Sequence, residues 1–217
     1  SAASDVYKRQ VENSLGRLWV EGHPNDELKA NWKYYLEEAE QEPEGQKKLA
    51  EIKREYSALN PEDLKCIDPC MGSGHILVYM FDVLMQIYES QGYSQRDAVQ
   101  SILQNNLYGL DIDDRAAQMA YFAVMMKARQ YDRRILTRGI EPHVFAIEES
   151  NGFNRNQLEY FGVGLSEDEK RNALTQVKGL LDQMHDAKEY GSMLMVDNYD
   201  WNLLRKFAET TSVMGQM

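Results

Sequence analysis

Apolar residues recur at helical spacing early in the chain. Val11, Leu15, Leu18 and Trp19 share one face, which predicts a helix starting at Val11. Leu28, Trp32, Tyr35 and Leu36 repeat the pattern within residues 26–40, with Asp26 as the expected N-cap. Glu42-Pro43-Glu44-Gly45 interrupts it. A second charged helix is expected over residues 46–59, closed by Asn60-Pro61. Residues 1–10 are small and polar, then basic, with no apolar period. They read as a disordered leader or a remnant.

From residue 64 the period changes. A short strand over 64–67 runs into a turn at 68–74 and then a long apolar helix over 75–90, ended by Gly92. Ser94 caps a further helix reaching about residue 104. A second strand over 106–110 ends at Asp111, and Asp113 caps a helix to about residue 129. A third strand is expected at 142–147. Strand, helix, strand, helix, strand is the order of a parallel doubly wound sheet. The fold class is therefore α/β, with a partial Rossmann-like sheet and an N-terminal helical extension. The expected division is residues 1–10, a helical region 11–62 and an α/β domain 63–217. Within the last, residues 151–164 read as a loop. Ser166 and Glu169 form a capping-box signature for a helix to about residue 185. A strand is expected at 192–196 and a short helix at 201–209.

Composition narrows the classes. The 43% hydrophobic and 27% charged residues are ordinary for a globular protein. No apolar run approaches the ~20 residues of a membrane helix, and the N-terminus has no signal-peptide pattern. A cytoplasmic protein without a membrane partner is the default expectation. The two cysteines, Cys66 and Cys70, are too few for a disulfide scaffold and lack a second metal-ligand pair. Cys66 reads as a buried strand residue, and no metal site is expected. The net charge of −11 argues against a broad grip on nucleic acid, because phosphate contacts need clustered Lys and Arg.

The chemistry concentrates in Asp68-Pro69-Cys70-Met71-Gly72-Ser73-Gly74. Gly72 and Gly74 permit backbone angles that side chains forbid and let a ligand approach the main chain. The helix behind them offers free N–H groups and a positive dipole end. No Lys-Ser or Lys-Thr follows, so a triphosphate loop is not expected, and Leu77 stands where a third dinucleotide glycine would be. A neutral or zwitterionic cofactor fits better than a pyrophosphate. Asp68 would repel phosphate and attract an ammonium group. At the second strand end, Asp111 is placed to accept hydrogen bonds from ribose hydroxyls, and Ile112 to lie beside an adenine. Asp111 follows Gly74 by 37 residues, against ~20 in the simple dinucleotide unit. The helix expected from Ser94 accounts for the difference. Asp113 and Asp114 read first as helix-capping and first-turn acids.

These segments resemble the class I methyltransferase fold, and within it the adenine-specific DNA methylases. Asp68 to Gly74 is similar to their Asp-Pro-x-x-Gly-Ser-Gly motif, and Gly109-Leu110-Asp111-Ile112-Asp113 to their second motif. The likeness is closer still to the large PglX-type methyltransferases of BREX phage-defence systems. It covers Asn13 to Trp19, Tyr34-Tyr35-Leu36, Asp68 to Val78 and Asn106 to Arg134. The resemblance implies S-adenosyl-L-methionine as cofactor. Its methionine end would lie on Asp68 and the Gly72–Gly74 backbone, its ribose on Asp111, and Pro69, Cys70, Met71, Ser73, His75 and Ile112 would line the pocket. Residues 13–19 would correspond to the upstream helix that closes it. For a third motif, Glu148 and the Gly191–Leu194 region both remain open. The implied partners are double-stranded DNA, through regions outside this chain, and defence-system proteins.

One feature of that family is missing. Its enzymes carry an Asn-Pro-Pro-Tyr or -Phe tetrapeptide that holds the flipped adenine by its amino group and stacks it on the ring. Pro-Pro occurs nowhere in this sequence, and Asn198-Tyr199-Asp200-Trp201 lacks prolines and reads as a surface loop. The chain is accordingly expected to be a fragment without a catalytic residue of its own. The alternatives are a methylase of the same fold acting on RNA or protein, and a cofactor-binding module without catalysis.

Overall fold

A computed structural model describes residues 2–209, and side chains from residue 5 onward. Ser1 and residues 210–217, at the ends of the expected leader and the expected α/β domain, lie outside the described residues. The chain forms two compact units, Ser1–Ala146 and Ile147–Met217. The boundary falls within the span 63–217 expected as one domain. In the first unit, the N-terminal helices share a single core with the sheet.

That unit begins with α1 (Ala2–Val11), which continues through a π-helical stretch, Glu12–Gly16, into α2 (Arg17–Gly22). Residues 2–10 of the expected leader are thus helical. Tyr7 lies edge-on to Tyr79, so tertiary contact supplies what the missing apolar period does not. Val11, Leu15 and Trp19 are buried, as their spacing predicts.

The expected helix over 26–40 stops early. α3 spans only Asp26–Ala30, and its N-cap is Asn25, whose side chain accepts the Leu28 N–H at 2.9 Å, in place of Asp26. The following residues form a strap whose backbone is bonded to side chains of the first helix. Asn13 Nδ2 donates to the Tyr34 carbonyl and Leu36 N–H donates to Asn13 Oδ1, both at 2.8 Å. Tyr34 N–H donates to Glu12 Oε2 at 2.5 Å, and Arg17 donates to the Leu36 carbonyl. The Asn13 amide thereby acts as a one-residue substitute for a neighbouring strand. Glu12 is buried and also accepts from the Tyr79 hydroxyl. These distant bonds outcompete local helix propensity. α4 (Pro43–Ser57) follows, with proline in its first turn.

The sheet is β1 (Cys66–Asp68), β2 (Leu107–Asp111) and β3 (His143–Ala146), parallel and in the order β1-β2-β3. α5 (His75–Ser90) connects the first pair with α6 (Gln95–Ser101), whose Ser94 cap accepts the Asp97 N–H. α7 (Asp114–Tyr131) connects the second pair. This is the strand–helix alternation of a Rossmann-like sheet. α5 buries Leu77, Phe81, Leu84, Ile87 and Tyr88, as expected of a helix covered on several sides. Asn106 is fully buried, and its side-chain amide is bonded at both nitrogen and oxygen. It donates to the Pro61 and Leu64 carbonyls and accepts from the Tyr88 hydroxyl at 2.7 Å. That satisfies a polar group which would otherwise be costly to bury. Leu107, Gly109 and Val144 lie on the buried side of the sheet. On the alternate positions Ile67 and Phe145 are 54% and 55% exposed.

In the second unit, α8 (Glu167–Gln183) starts in the expected Ser166/Glu169 capping box. It packs with α10 (Trp201–Glu209) around Leu158, Ala173, Leu203 and Phe207. α9 (Ala187–Tyr190) is a single turn. The strand expected at 192–196 does not form. Gly191–Met193 is a 3-10 turn, and Met193 and Met195 are exposed. Among the described residues no helix is long and apolar enough to cross a membrane.

Replacing Asn13 by Ala leaves the Tyr34 carbonyl and Leu36 N–H without their partner. The expected loss is about 1–2 kcal/mol, seen as a lower Tm. Faster hydrogen exchange at the Leu36 amide should accompany it, with the sheet amides unchanged.

Candidate functional site

The parallel register sets the geometry of the turn. Asp68, the last residue of β1, pairs with Gly109, so β2 extends two residues further, to Asp111. The chain leaving β1 folds back against that overhang. Met71 N–H donates to the Leu110 carbonyl at 3.0 Å, and Gly72 N–H donates to Asp111 Oδ2 at 2.8 Å. The glycine turn and the strand-end acid, 39 residues apart in sequence, are thereby in direct contact.

Gly72 has φ +53, and a Cβ placed on it would meet nothing within 4 Å, so the backbone there borders open space. Gly74 has φ +86, and its α-carbon lies so near Ala120 that a Cβ would sit 3.0 Å from it. The second glycine therefore serves both the left-handed turn and the close packing of α5 on α7. As the N-cap of α5, Gly74 provides no side-chain acceptor, which leaves first-turn N–H groups for a ligand. Ser73 Oγ and His75 Nδ1 are 2.9 Å apart, and His75 is exposed. Pro69 and Cys70 are exposed on the turn and Met71 is buried beneath it. Hollows of about 430 and 500 Å³ both use Ser73 and His75 as wall. The carboxylates of Asp68 and Asp111 line neither of these.

Asp68 is 7% exposed. Its Oδ1 accepts the Cys70 N–H at 3.1 Å, while Oδ2 is buried without a hydrogen-bond partner. Burial raises the Asp68 pKa above the ordinary carboxylate value. The nearby negative charge of Asp111 adds to the rise, and the Cys70 N–H opposes it. A cation with N–H donors would satisfy the orphaned oxygen and offset the burial. Asp111 Oδ1 accepts the Asp113 N–H at 3.0 Å. With one backbone donor on each oxygen, about two of its four lone-pair sites remain for hydroxyl donors. Ile112, next along, is 50% exposed. The residues present thus fit a zwitterionic ligand that also carries a vicinal diol.

Asp113 caps α7, accepting the Arg115 N–H at 2.8 Å, as its position predicts. Cys66 is a half-buried strand thiol whose pKa burial pushes up to about 12. Glu148 is exposed and belongs to the second unit, as does the Gly191–Leu194 region. Among the described residues no group of three or more His, Cys, Asp or Glu is placed to hold a metal ion. Sequence reasoning named Gly109 only as part of the second motif and gave it no role of its own; it lies under the turn. A Cβ there would come within 2.5 Å of the Met71 sulfur. A glycine in mid-strand is the available signal.

The Asp68 pKa sets a linkage. Because the folded carboxyl holds its proton more tightly than the unfolded one, stability falls as pH rises from the ordinary value through the raised one. Asp68→Asn removes that penalty. At pH 7 and without ligand the variant should be more stable by about 1 kcal/mol, with the gap closing towards pH 4. Thermal denaturation across that range measures it.

Three curated proteins are similar to this chain. An adenine-specific methyltransferase BrxX of Escherichia coli O9:H4 (strain HS) is 51% identical over 140 residues, 64% of this chain and 12% of that protein. An adenine-specific methyltransferase PglX of Lacticaseibacillus casei (strain Zhang) is 36% identical over 212 residues, 93% of this chain and 17% of that protein. A putative type II restriction enzyme and methyltransferase of Methanocaldococcus jannaschii is 29% identical over 157 residues. No protein-family model matches. The chain spans less than a fifth of the length of these relatives. Over the residues it shares with them, it belongs to the BrxX and PglX family of adenine-specific methyltransferases.

Proposed function

We propose that this chain carries the S-adenosyl-L-methionine-binding part of a site-specific DNA adenine-N6 methyltransferase, on a class I methyltransferase sheet. The observation that carries the reading is the buried, unpartnered Asp68 Oδ2, on a turn whose Gly72 borders open space and touches Asp111. Asp68 is the partner for the ammonium of the methionine end. The Gly72–Gly74 backbone lies against the same end, with Pro69, Cys70, Met71, Ser73 and His75 around it. Asp111 accepts from the ribose hydroxyls, and Ile112 offers an apolar surface to the adenine. S-adenosylmethionine, when bound, supplies a methyl group on a sulfonium sulfur.

The part of this chain in the reaction is binding and orientation. No side chain here needs to move a proton. His75 stands at the first turn of α5, beside the Ser73 hydroxyl. It lines the pocket and does not act as a base. The tetrapeptide that holds the target adenine is not in this sequence. With a net charge of −11, the grip on double-stranded DNA belongs to other regions of the longer protein. Defence-system partners follow from the family resemblance alone.

Calorimetric titration with S-adenosylmethionine tests the reading. Binding is expected for the wild-type chain, with affinity falling at least about tenfold, some 1.4 kcal/mol, in Asp111→Ala. Affinity should also fall as pH drops through the raised Asp68 pKa, because the neutral acid no longer pairs with an ammonium. The chain alone should transfer no methyl to adenine in DNA. A titration with neither heat nor thermal shift overturns the assignment.

A further inference from the structure

Three consecutive residues of β2 hold the turn. Leu110 accepts the Met71 N–H, Asp111 accepts the Gly72 N–H, and Gly109 lies beneath the Met71 side chain. Gly109 sits in a strand without positive φ, so no left-handed backbone demands glycine there. Space is what demands glycine. A Cβ would stand 2.5 Å from the Met71 sulfur and 2.6 Å from Leu77 Cδ1. Met71 is 4% exposed, and its carbonyl accepts the Gly74 N–H at 2.9 Å. It is tied to the end of β2, to the start of α5 and to the α-carbon of Gly109. A lift of Met71 therefore moves Gly72, the next residue, relative to Asp111.

We propose that Gly109 is a positioning residue for the cradle: its bare α-carbon seats Met71, and the seated methionine sets the distance between the Gly72 N–H and the Asp111 carboxylate. The consequence for the cofactor rests on the donor-site reading, but the geometry does not. A side chain at 109 lifts the turn, opens the Gly72–Asp111 bond and spoils the curve on which a ligand lies. A methionine thioether is deformable, so part of the strain is absorbed. The hydrogen bond, which needs a donor–acceptor distance near 3 Å, tolerates less.

The test compares the 217-residue chain as wild type, Gly109→Ala, Met71→Ala and the double variant. It reads hydrogen exchange at the Gly72 amide, Tm and calorimetric affinity for S-adenosylmethionine. Gly109→Ala should speed Gly72 exchange and weaken binding, each about tenfold. Met71→Ala, which only empties the seat, should speed exchange about threefold. In the double variant the new methyl fills the space that the thioether leaves, so both readouts should return to within about threefold of wild type, a coupling that independent sites do not show. A lower Tm with unchanged Gly72 exchange overturns the proposal and leaves Gly109 a packing residue against Leu77. A double variant no better than Gly109→Ala overturns it as well. Should Gly109→Ala not fold, unchanged Gly72 exchange in Met71→Ala has the same force. If the amide responds as stated while the wild-type chain takes up no S-adenosylmethionine, the donor reading fails and the seat stands.

Discussion

The hydrogen bond from the Gly72 N–H to the Asp111 carboxylate joins the two halves of the site. It exists because β2 outruns β1 by two residues in a parallel register, leaving a strand tip for the turn to fold against. The groups that would touch a ligand descend from that offset. Asp68 ends the shorter strand, the glycines follow at once, and Asp111 and Ile112 lie at the longer strand's end. A ladder shifted by one residue would turn Asp111 to the other face of the sheet. The core of α5 and α7 against Leu107 and Val144 is what fixes the register, so packing at a distance governs polar geometry at the rim.

The site also carries an electrostatic load. Two carboxylates, one of them buried with an unused oxygen, stand near each other at the tip of the sheet. Nothing in the fold requires Asp68 to be charged, and burial works against it. Unpaired buried acids are uncommon because they cost stability, and those that persist are candidates for recognition of a positive group. At this residue the fold disfavours the very charge that such recognition would need.

What could be read from the sequence was whatever is local. Ser94, Asp113 and Ser166 cap the helices they were expected to cap, because each bonds an N–H only two or three residues on. Asp68, Gly72 and Asp111 were legible as a strand-end acid, a turn glycine and a second strand-end acid, though not their direct contact. The strap after Ala30 was illegible. Its bonds go to Glu12, Asn13 and Arg17, some twenty residues earlier, and no period within 31–42 reveals them. The helix over Ala2–Val11 is illegible for a related reason, its support being a ring packed on Tyr79 from α5. Residues 192–196 misled in the other sense. Their apolar run suggested a strand, but Met193 and Met195 stay exposed.

The uneven cover of the sheet has a colloidal consequence. Parallel strands are ordinarily shielded on both sides, yet Ile67 and Phe145 present more than half of their surface to water. Clustering of separate copies through that face is opposed by mutual repulsion between molecules bearing eleven excess negative charges. Salt shortens the reach of that repulsion, and acidification toward the isoelectric point near 4.9 abolishes it. The excess of acidic over basic residues thus acts as a dispersing force between copies of the chain.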